Sequence, residues 1–411
     1  MGSARRTKTA HGRPPGGSAY DRTALVLQGG GALGAYQGGV YEALAEAGYL
    51  PDWIAGISIG AINAAIIAGN PPHLRAERLE QFWHQVTAAD ALSECMVPFF
   101  DRRWVNGLSA SRAALSGAPG FFTPRSLWAD GTLTGDEPPS VYSTRPLRET
   151  LEALVDFDRI NAGGIRLSLG AVNVRTGNFV YFDSDDRMIG PEHVMASGSL
   201  PPYLPAVEID GEFYWDGGLV SNTPLHWILG AGEGPDRDTL VFQVDLWSAR
   251  GHPPADLMHA EERRKDVIYS SRTRLNTDLF RREQRLRQSL RRVIERLPED
   301  ERSEPDVQRI QRKAERCRNV SIVHLIYNRK PYDTQHKDYA FSRAAMCEHW
   351  AAGGDDVARS LRDRRWERPP PAGECVRVYD VNVDQDRPDQ PDRSAPDEAG
   401  RPPASTSGAG S

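Results

Sequence analysis

The sequence predicts an α/β fold, in which a mostly parallel β-sheet is covered by helices. Two short apolar runs, Thr23–Gln28 and Trp53–Ile57, end at glycine or serine, and each is followed by a helix-length segment. Runs of that length and apolarity suit strands buried on both faces, the condition of a parallel sheet. Strands alternating with helices are the mark of α/β architecture. Later apolar runs at 165–174, 239–246 and 319–327 supply further strands.

Each element has its own signal. Gly29–Gly31 turn the chain after the first strand. Ala35–Ala47 carries apolar residues at helical spacing and stops at Gly48. After the second strand come Ser58 and the small-residue helix Ile59–Ala68, closed by Gly69. Leu74–Val86 is a third helix. Residues 87–135 hold Phe99, Phe100, Trp104, Phe121, Phe122 and Trp128 among glycines and prolines, and read as short helices and loops over the site. Pro146–Phe157 is a helix, Ile165–Val174 a strand, and Gly177–Phe182 its hairpin partner. Val207–Tyr214 reads as one short extended segment ending at Asp216–Gly218, and Thr239–Leu246 as a further strand. Asn319–Tyr327 returns to the sheet, and Tyr339–Leu361 is helical with a break expected at Gly353–Gly354.

Composition narrows the function classes. The 411 residues are 26% charged and 39% apolar, with a formal net charge of -6, so the molecule is not built around nucleic acid. Residues 1–21 lack the apolar core of a signal peptide and read as a flexible basic arm. Gly2 and Ser3 open something like a myristoylation signal, but Arg6 stands where Ser or Thr is wanted. There is no run of 18 apolar residues, so a membrane-spanning helix is not expected. The expected location is cytoplasmic, with any membrane contact peripheral, at the inner face. The cysteines at 95, 317, 347 and 375 fit no ligand spacing and are expected to be free thiols; no metal and no cofactor is expected.

Three segments carry chemistry. The first is Gly56-Ile57-Ser58-Ile59-Gly60, a G-x-S-x-G element between strand and helix. On such a turn the serine oxygen projects from the end of the sheet, and the following helix aims free N–H groups at the same place. The plain alternative is a glycine-rich turn with a capping serine. The second is Gly29-Gly30-Gly31-Ala32-Leu33-Gly34 after the first strand, which also fits a dinucleotide fingerprint. That rival needs an acid at the end of the second strand, where Gly-Ile-Ser-Ile-Gly stands instead. In a hydrolase the same glycines offer backbone N–H groups beside Ser58. The third is Asp216-Gly217-Gly218, either a turn or the base that takes the proton of Ser58. His226, His252, His259, His324, His336 and His349 follow Asp216, and none has a motif around it.

The ordered set of glycine-rich loop, G-x-S-x-G and D-G-G, at 29–34, 56–60 and 216–218, resembles the patatin-like phospholipases. The resemblance implies a three-layer α/β/α fold and a dyad with Ser58 as nucleophile and Asp216 as base. It implies an oxyanion site from Gly29, Gly30, Gly31 and Ile59, with Gly34, Gly56, Gly60, Gly217 and Gly218 as motif glycines. The substrate class it implies is a lipid or lipid-like ester. Leu33 stands where family members usually carry Arg or Lys. A catalytically inactive patatin-fold binding or regulatory protein is the alternative.

The resemblance covers roughly 22–250. Residues 251–361 look like the helical extension, with one returning strand, that one bacterial subfamily carries. From 362 to 411 a largely disordered tail is expected. Arg263–Arg296 holds 12 Lys or Arg against four Asp or Glu, a formal charge of +8, with apolar residues recurring inside it. One long amphipathic helix, or two in series, is expected there. Its apolar stripe either packs on the core or on a second subunit of a homo-oligomer, or lies on an anionic membrane.

Overall fold

The computed structural model describes residues 19–90, 102–125, 138–230, 238–314, 319–328, 337–371 and 374–380. The apolar runs form strands in chain order: β1 (Arg22–Leu27), β2 (Trp53–Gly56), β3 (Thr123–Pro124), β4 (Tyr142–Ser143), β5 (Arg166–Asn173), β6 (Phe179–Asp183), β7 (Val207–Ile209), β8 (Glu212–Asp216), β9 (Thr239–Asp245), β10 (Val320–Ile326) and β11 (Val376–Asp380). Among the described residues, nine of them make one sheet in the order β11-β10-β9-β1-β2-β5-β8-β7, with β6 paired to β5 off that path. Every pairing from β11 to β5 is parallel. The antiparallel pairings of β6, β8 and β7 close the other edge.

The pleat divides the side chains between two cores. Leu25, Leu27 and Ile54 face the helices α1 (Ala35–Glu46), α2 (Ile59–Ala68) and α3 (Arg75–Val86), together with Met346 and Val357 of helix Arg343–Ser360. Ala24, Val26, Trp53 and Ala55 face the helix Leu225–Gly230 and Phe280 of the long helix Leu257–Ile294. The result is the expected three-layer α/β/α arrangement. Because β1 lies between β2 and β9, the chain changes winding direction there, and ligands of open α/β sheets bind at the carboxyl ends of strands at such a switch point. The glycine loop follows β1 and Ser58 follows β2, so both sit at that crevice.

Several expectations are corrected. The segment 207–214 is two strands, β7 and β8, joined by Asp210 (φ 54°) and Gly211 (φ 80°). Two consecutive left-handed residues make the tight hairpin turn whose twist matches paired strands. No break occurs at Gly353–Gly354: the helix Arg343–Ser360 runs through them. Gly353 is there for close packing, since a methyl on it would overlap the Tyr36 carbonyl of α1. Ordered structure also continues past 362. Trp366 is buried, and β11 extends the sheet in parallel with β10. At the other end, Tyr20 leaves the expected arm to bury its ring and hydrogen-bond with Ser321 (2.7 Å) and the Trp366 carbonyl (2.8 Å). The rest of the expected arm, 1–18, and of the expected tail, 381–411, lies outside the described residues.

The cysteines differ from four free thiols. Cys375 is disulfide-bonded, whereas Cys347 is exposed and forms no disulfide. Cys375 sits just before β11, where its carbonyl accepts the Val320 N–H of β10 (2.8 Å), so strand pairing brings it near chain that is distant in sequence. In the aromatic-rich stretch, helix Arg102–Ser116 is followed by Phe121 and Phe122, both buried. Phe99, Phe100 and Trp128 lie outside the described residues, as does the side chain of Trp104.

The basic segment is one helix, Leu257–Ile294, of 38 residues. Phe280 and Ile294 turn inward with Glu262, Asp266, Ser270 and Gln284, while Ile268, Leu279, Leu286 and Val293 stay 51–60% exposed. Among the described residues, no helix is long and apolar enough to cross a membrane.

Candidate active site

Ser58 occupies a sharp turn between β2 and α2. Its φ of 55° and ψ of -124° are a conformation that a residue with a side chain adopts only under constraint. The constraint is visible: the Ser58 N–H donates to both the carbonyl and the hydroxyl of Ser197 (3.1 Å each), and the Ser197 hydroxyl donates to the Gly170 carbonyl of β5 (2.7 Å). The motif glycines let backbones meet here. A methyl on Gly56 would overlap the Gly60 carbonyl, and one on Gly60 the Leu27 carbonyl. The turn presents the serine at the N-terminus of α2, where helix N–H groups favour negative charge.

Asp216 ends β8, where it pairs with Ala171 of β5, and its N–H donates to the Ser199 carbonyl (2.9 Å). Its carboxylate is buried and accepts the Gly218 N–H (2.7 Å). Burial pushes its pKa up to about 6; the nearby Ser58 hydroxyl and the Gly218 N–H pull the other way and only partly offset it. Chain positions 58 and 216 are thus brought to the wall of one cavity.

The glycine loop is held from three sides. On the β1 side, Gln28 is fully buried and its Oε1 accepts the Leu246 and Trp247 N–H groups (2.6 and 3.0 Å), while its Nε2 donates to Thr223 (2.9 Å). Asn222 Nδ2 and Trp247 Nε1 both donate to the Gly29 carbonyl (2.9 and 2.8 Å). Beneath the loop, Asn63 Nδ2 donates to the Gly34 carbonyl (3.0 Å) and to Gln37 Oε1 (2.9 Å). Across the loop, the Ala32 N–H donates to the Asp338 carbonyl (2.9 Å). Gly31 has φ +55°, and a methyl there would overlap that same carbonyl.

One expected donor is corrected. The Gly29 N–H is turned to the Asn222 carbonyl (3.3 Å), because Asn222 clasps Gly29 through both its backbone and its side chain. Among the described residues, no hydrogen-bond acceptor faces the N–H groups of Gly30, Gly31 or Ile59. Leu33 is fully buried in the core and presents nothing to the site.

These parts line one cavity of about 350 Å³, a volume typical of small-ligand sites. Gly29–Gly31, Ser58 and Asp216 meet a wall of Phe121, Phe122, Tyr142, Leu200, Leu204 and Phe341. Residues far along the chain complete it. Tyr269 of the long helix and Asp338, Tyr339 and Phe341 of the segment that follows β10 all line the cavity. That segment is clamped to the long helix by Lys265 Nζ on both Asp338 oxygens (3.0 Å each) and by Lys337 Nζ on Asp266 (2.8 Å). Burial raises the Asp338 carboxyl and the Lys265 charge opposes it; burial, then the Asp216 and Asp338 charges, raise the Tyr269 phenol.

No histidine lines the cavity among the described residues. His193 accepts the Gly190 N–H on Nδ1 (3.0 Å) and packs edge-on against Phe182; burial lowers its pKa. His226 is exposed, and His324 pairs with Asp245 (2.6 Å) on the neighbouring strands. Sequence reasoning missed Gln28, Asn63, Asn222 and the Lys265–Asp338 clamp. Only Gln28 left a signal, as the polar end of an apolar run.

The fold and the site define an α/β protein with a serine–carboxylate pair at the strand ends of its switch point, beside a glycine loop. Residues 25–227 match the family model described as patatin-like phospholipase, and residues 267–373 match a second described as patatin phospholipase. The chain therefore carries a patatin-like phospholipase domain. It is 40% identical over 89 residues to a patatin-like phospholipase domain-containing protein of Neurospora crassa, covering 21% of this chain and 10% of that one. It is 40% identical over 75 residues to the triacylglycerol lipase SDP1L of Arabidopsis thaliana, covering 18% and 9%. The alignments thus span about a tenth of the length of these curated relatives. Among solved structures, VipD from Legionella pneumophila aligns with a TM-score of 0.31 at 15% identity, covering 85% of this chain and 72% of that one. The ExoU–SpcU complex from the type III secretion system of Pseudomonas aeruginosa aligns with a TM-score of 0.23 at 18% identity, covering 59% and 53%. Scores of that size carry no argument about activity.

Proposed function

We propose that this protein is a serine acyl hydrolase that cleaves lipid-like carboxylic esters through a Ser58–Asp216 dyad. The observation that carries the reading is the placement of Ser58 and the buried Asp216 together at the wall of one largely apolar cavity, near enough that the Ser58 hydroxyl lowers the carboxyl pKa against burial. A carboxylate whose pKa is lifted toward neutrality is a better proton acceptor than an ordinary one, and still ionised at neutral pH.

The chemistry runs in two halves. Ser58 Oγ bonds to the ester carbonyl carbon as its proton passes to Asp216, and the carbonyl oxygen becomes an oxyanion. The N–H groups of Gly30, Gly31 and Ile59 are the donors assigned to it. The carbon–oxygen bond to the alcohol then breaks, and Asp216 returns the proton to the leaving oxygen. Water attacks the acyl-Ser58 ester and gives a proton to Asp216. The acid leaves, and Ser58 recovers its proton.

The test is a fluorophosphonate probe on the purified chain, followed by a panel of esters differing in chain length and head group, with Ser58→Ala as blank. Labelling at Ser58 and turnover above the blank support the proposal. A folded chain that neither labels nor turns over any ester supports the non-catalytic alternative instead.

A further inference from the structure

The structure leaves one large surface that the hydrolase reading does not use. Ile268, Leu279, Leu286 and Val293 of the long helix are 51%, 51%, 60% and 57% exposed. Their spacing of 11, 7 and 7 residues keeps them on one line along the helix, over about 38 Å at 1.5 Å per residue. The line is separate from the inward face of Glu262, Asp266, Phe280, Gln284 and Ile294, so it is not core. Exposed apolar residues aligned on one face mark an interaction site more often than scattered ones do.

Charge identifies the occupant. Beside the row, on the side facing away from the core, stand Arg282, Arg285, Arg292 and Arg296, all exposed. None of the four has an ion-pair partner among the described residues. Glu283 pairs with Arg287 (2.6 Å) and Glu295 with Arg291 (3.0 Å), which leaves Asp278 as a single acid against four arginines on that side. A second copy laid along the row would set arginines against arginines, with the whole segment 263–296 at +8 in each copy. An anionic lipid surface satisfies both features at once, taking the apolar row into the acyl boundary and the arginines among its head groups. Tyr269, next to Ile268, lines the cavity, so the row begins beside the wall of the site.

We propose that the outward face of helix Leu257–Ile294 docks the protein on an anionic lipid surface. The experiment is sedimentation of the full chain with phosphatidylcholine vesicles and with vesicles containing phosphatidylglycerol, at low and moderate salt. Ser58→Ala serves as a second parent, because docking requires no turnover, so loss of catalysis and loss of docking are read separately. The expected result is binding to the anionic vesicles alone, weakening with salt, and falling about fivefold for each arginine changed in the series Arg282→Gln, Arg285→Gln, Arg292→Gln and Arg296→Gln. Leu279→Ser with Leu286→Ser lowers binding without touching charge. Both sets keep hydrolysis of a soluble short-chain ester at the parent rate. Equal binding to both vesicle types, no binding to either, or a dimer in solution that Leu286→Ser dissociates would overturn the proposal.

Discussion

The Asp338 carbonyl accepts the N–H of Ala32 at 2.9 Å, so a residue more than 300 positions away fixes the loop that follows the first strand. The same Asp338 side chain is gripped by Lys265 of the long helix, so helix, segment and loop form one connected unit.

Loosening that unit is expected to slow turnover without unfolding the protein. Lys265→Met removes the grip while leaving most of the packing. A misplacement of about 1 Å in the loop costs about 100-fold in rate, mostly in kcat rather than KM. Lys265→Arg keeps the charge and should recover much of the loss. Gly31→Ala attacks the same contact from the other side, adding about 1 kcal/mol of backbone strain to the overlap with Asp338. Steady-state kinetics on a soluble ester, with the rate of fluorophosphonate labelling, check this; a pure KM change would argue that the segment only shapes the binding pocket.

Ser58→Ala and Asp216→Asn should each lower turnover by about 10³-fold or more. Their effects on stability should differ. The folded-state pKa of Asp216 lies above its ordinary value, so the stability linked to this group is fully present below pH 4 or so and lost as pH rises through about 6. At neutral pH the ionised, buried carboxylate therefore destabilises the fold, on the order of 3 kcal/mol. Asp216→Asn removes that cost, so it should melt above the parent at neutral pH and converge with it in acid. A variant that melts lower at neutral pH would contradict the burial argument.

The pH profile follows from the same group. Asp216 must be ionised to accept the Ser58 proton, so kcat/KM should rise through an apparent pKa of about 6 and level off above it. In Asp216→Asn the residual rate should lose that limb. A limb that persists in Asp216→Asn would place the titrating base elsewhere.

Alanine at His193, His226 or His324 should leave most of the activity. The reason is geometric: none of the three lines the cavity, and His193 and His324 are committed to Gly190 and Asp245. A loss at any of them as deep as in Ser58→Ala, in a variant that folds, would indicate a three-residue relay.

The sequence made the candidate site legible where its parts are local. Strand, glycine loop, helix, strand, serine and helix follow one another within Arg22–Ala68, and each carries its own periodicity and turn residues. Asp216 was legible from its two glycines. What escaped was made by distant pairing. Asn222 clasping Gly29, Lys265 gripping Asp338 and Tyr20 reaching Trp366 join positions whose one-dimensional surroundings look ordinary. Gly353 misled for a related reason: glycine in a helix pattern reads as a break, and only the α1 backbone packed against it shows why a side chain is excluded. Strand β11 escaped because five residues beside a proline-rich stretch give too short a signal, while its pairing with β10 supplies the stability.

The position of β1 in the sheet has a consequence for how the molecule comes into being. β1 pairs with β2, made early, and with β9, made some 200 residues later. On a growing chain the serine turn therefore waits for Ser197, which holds the Ser58 N–H, and the other flank of the glycine loop waits longer, for β9. The loop gains its last tether only when Asp338 has emerged. Until then the elbow has a serine but no finished cradle, so the site takes shape only after most of the described chain has emerged.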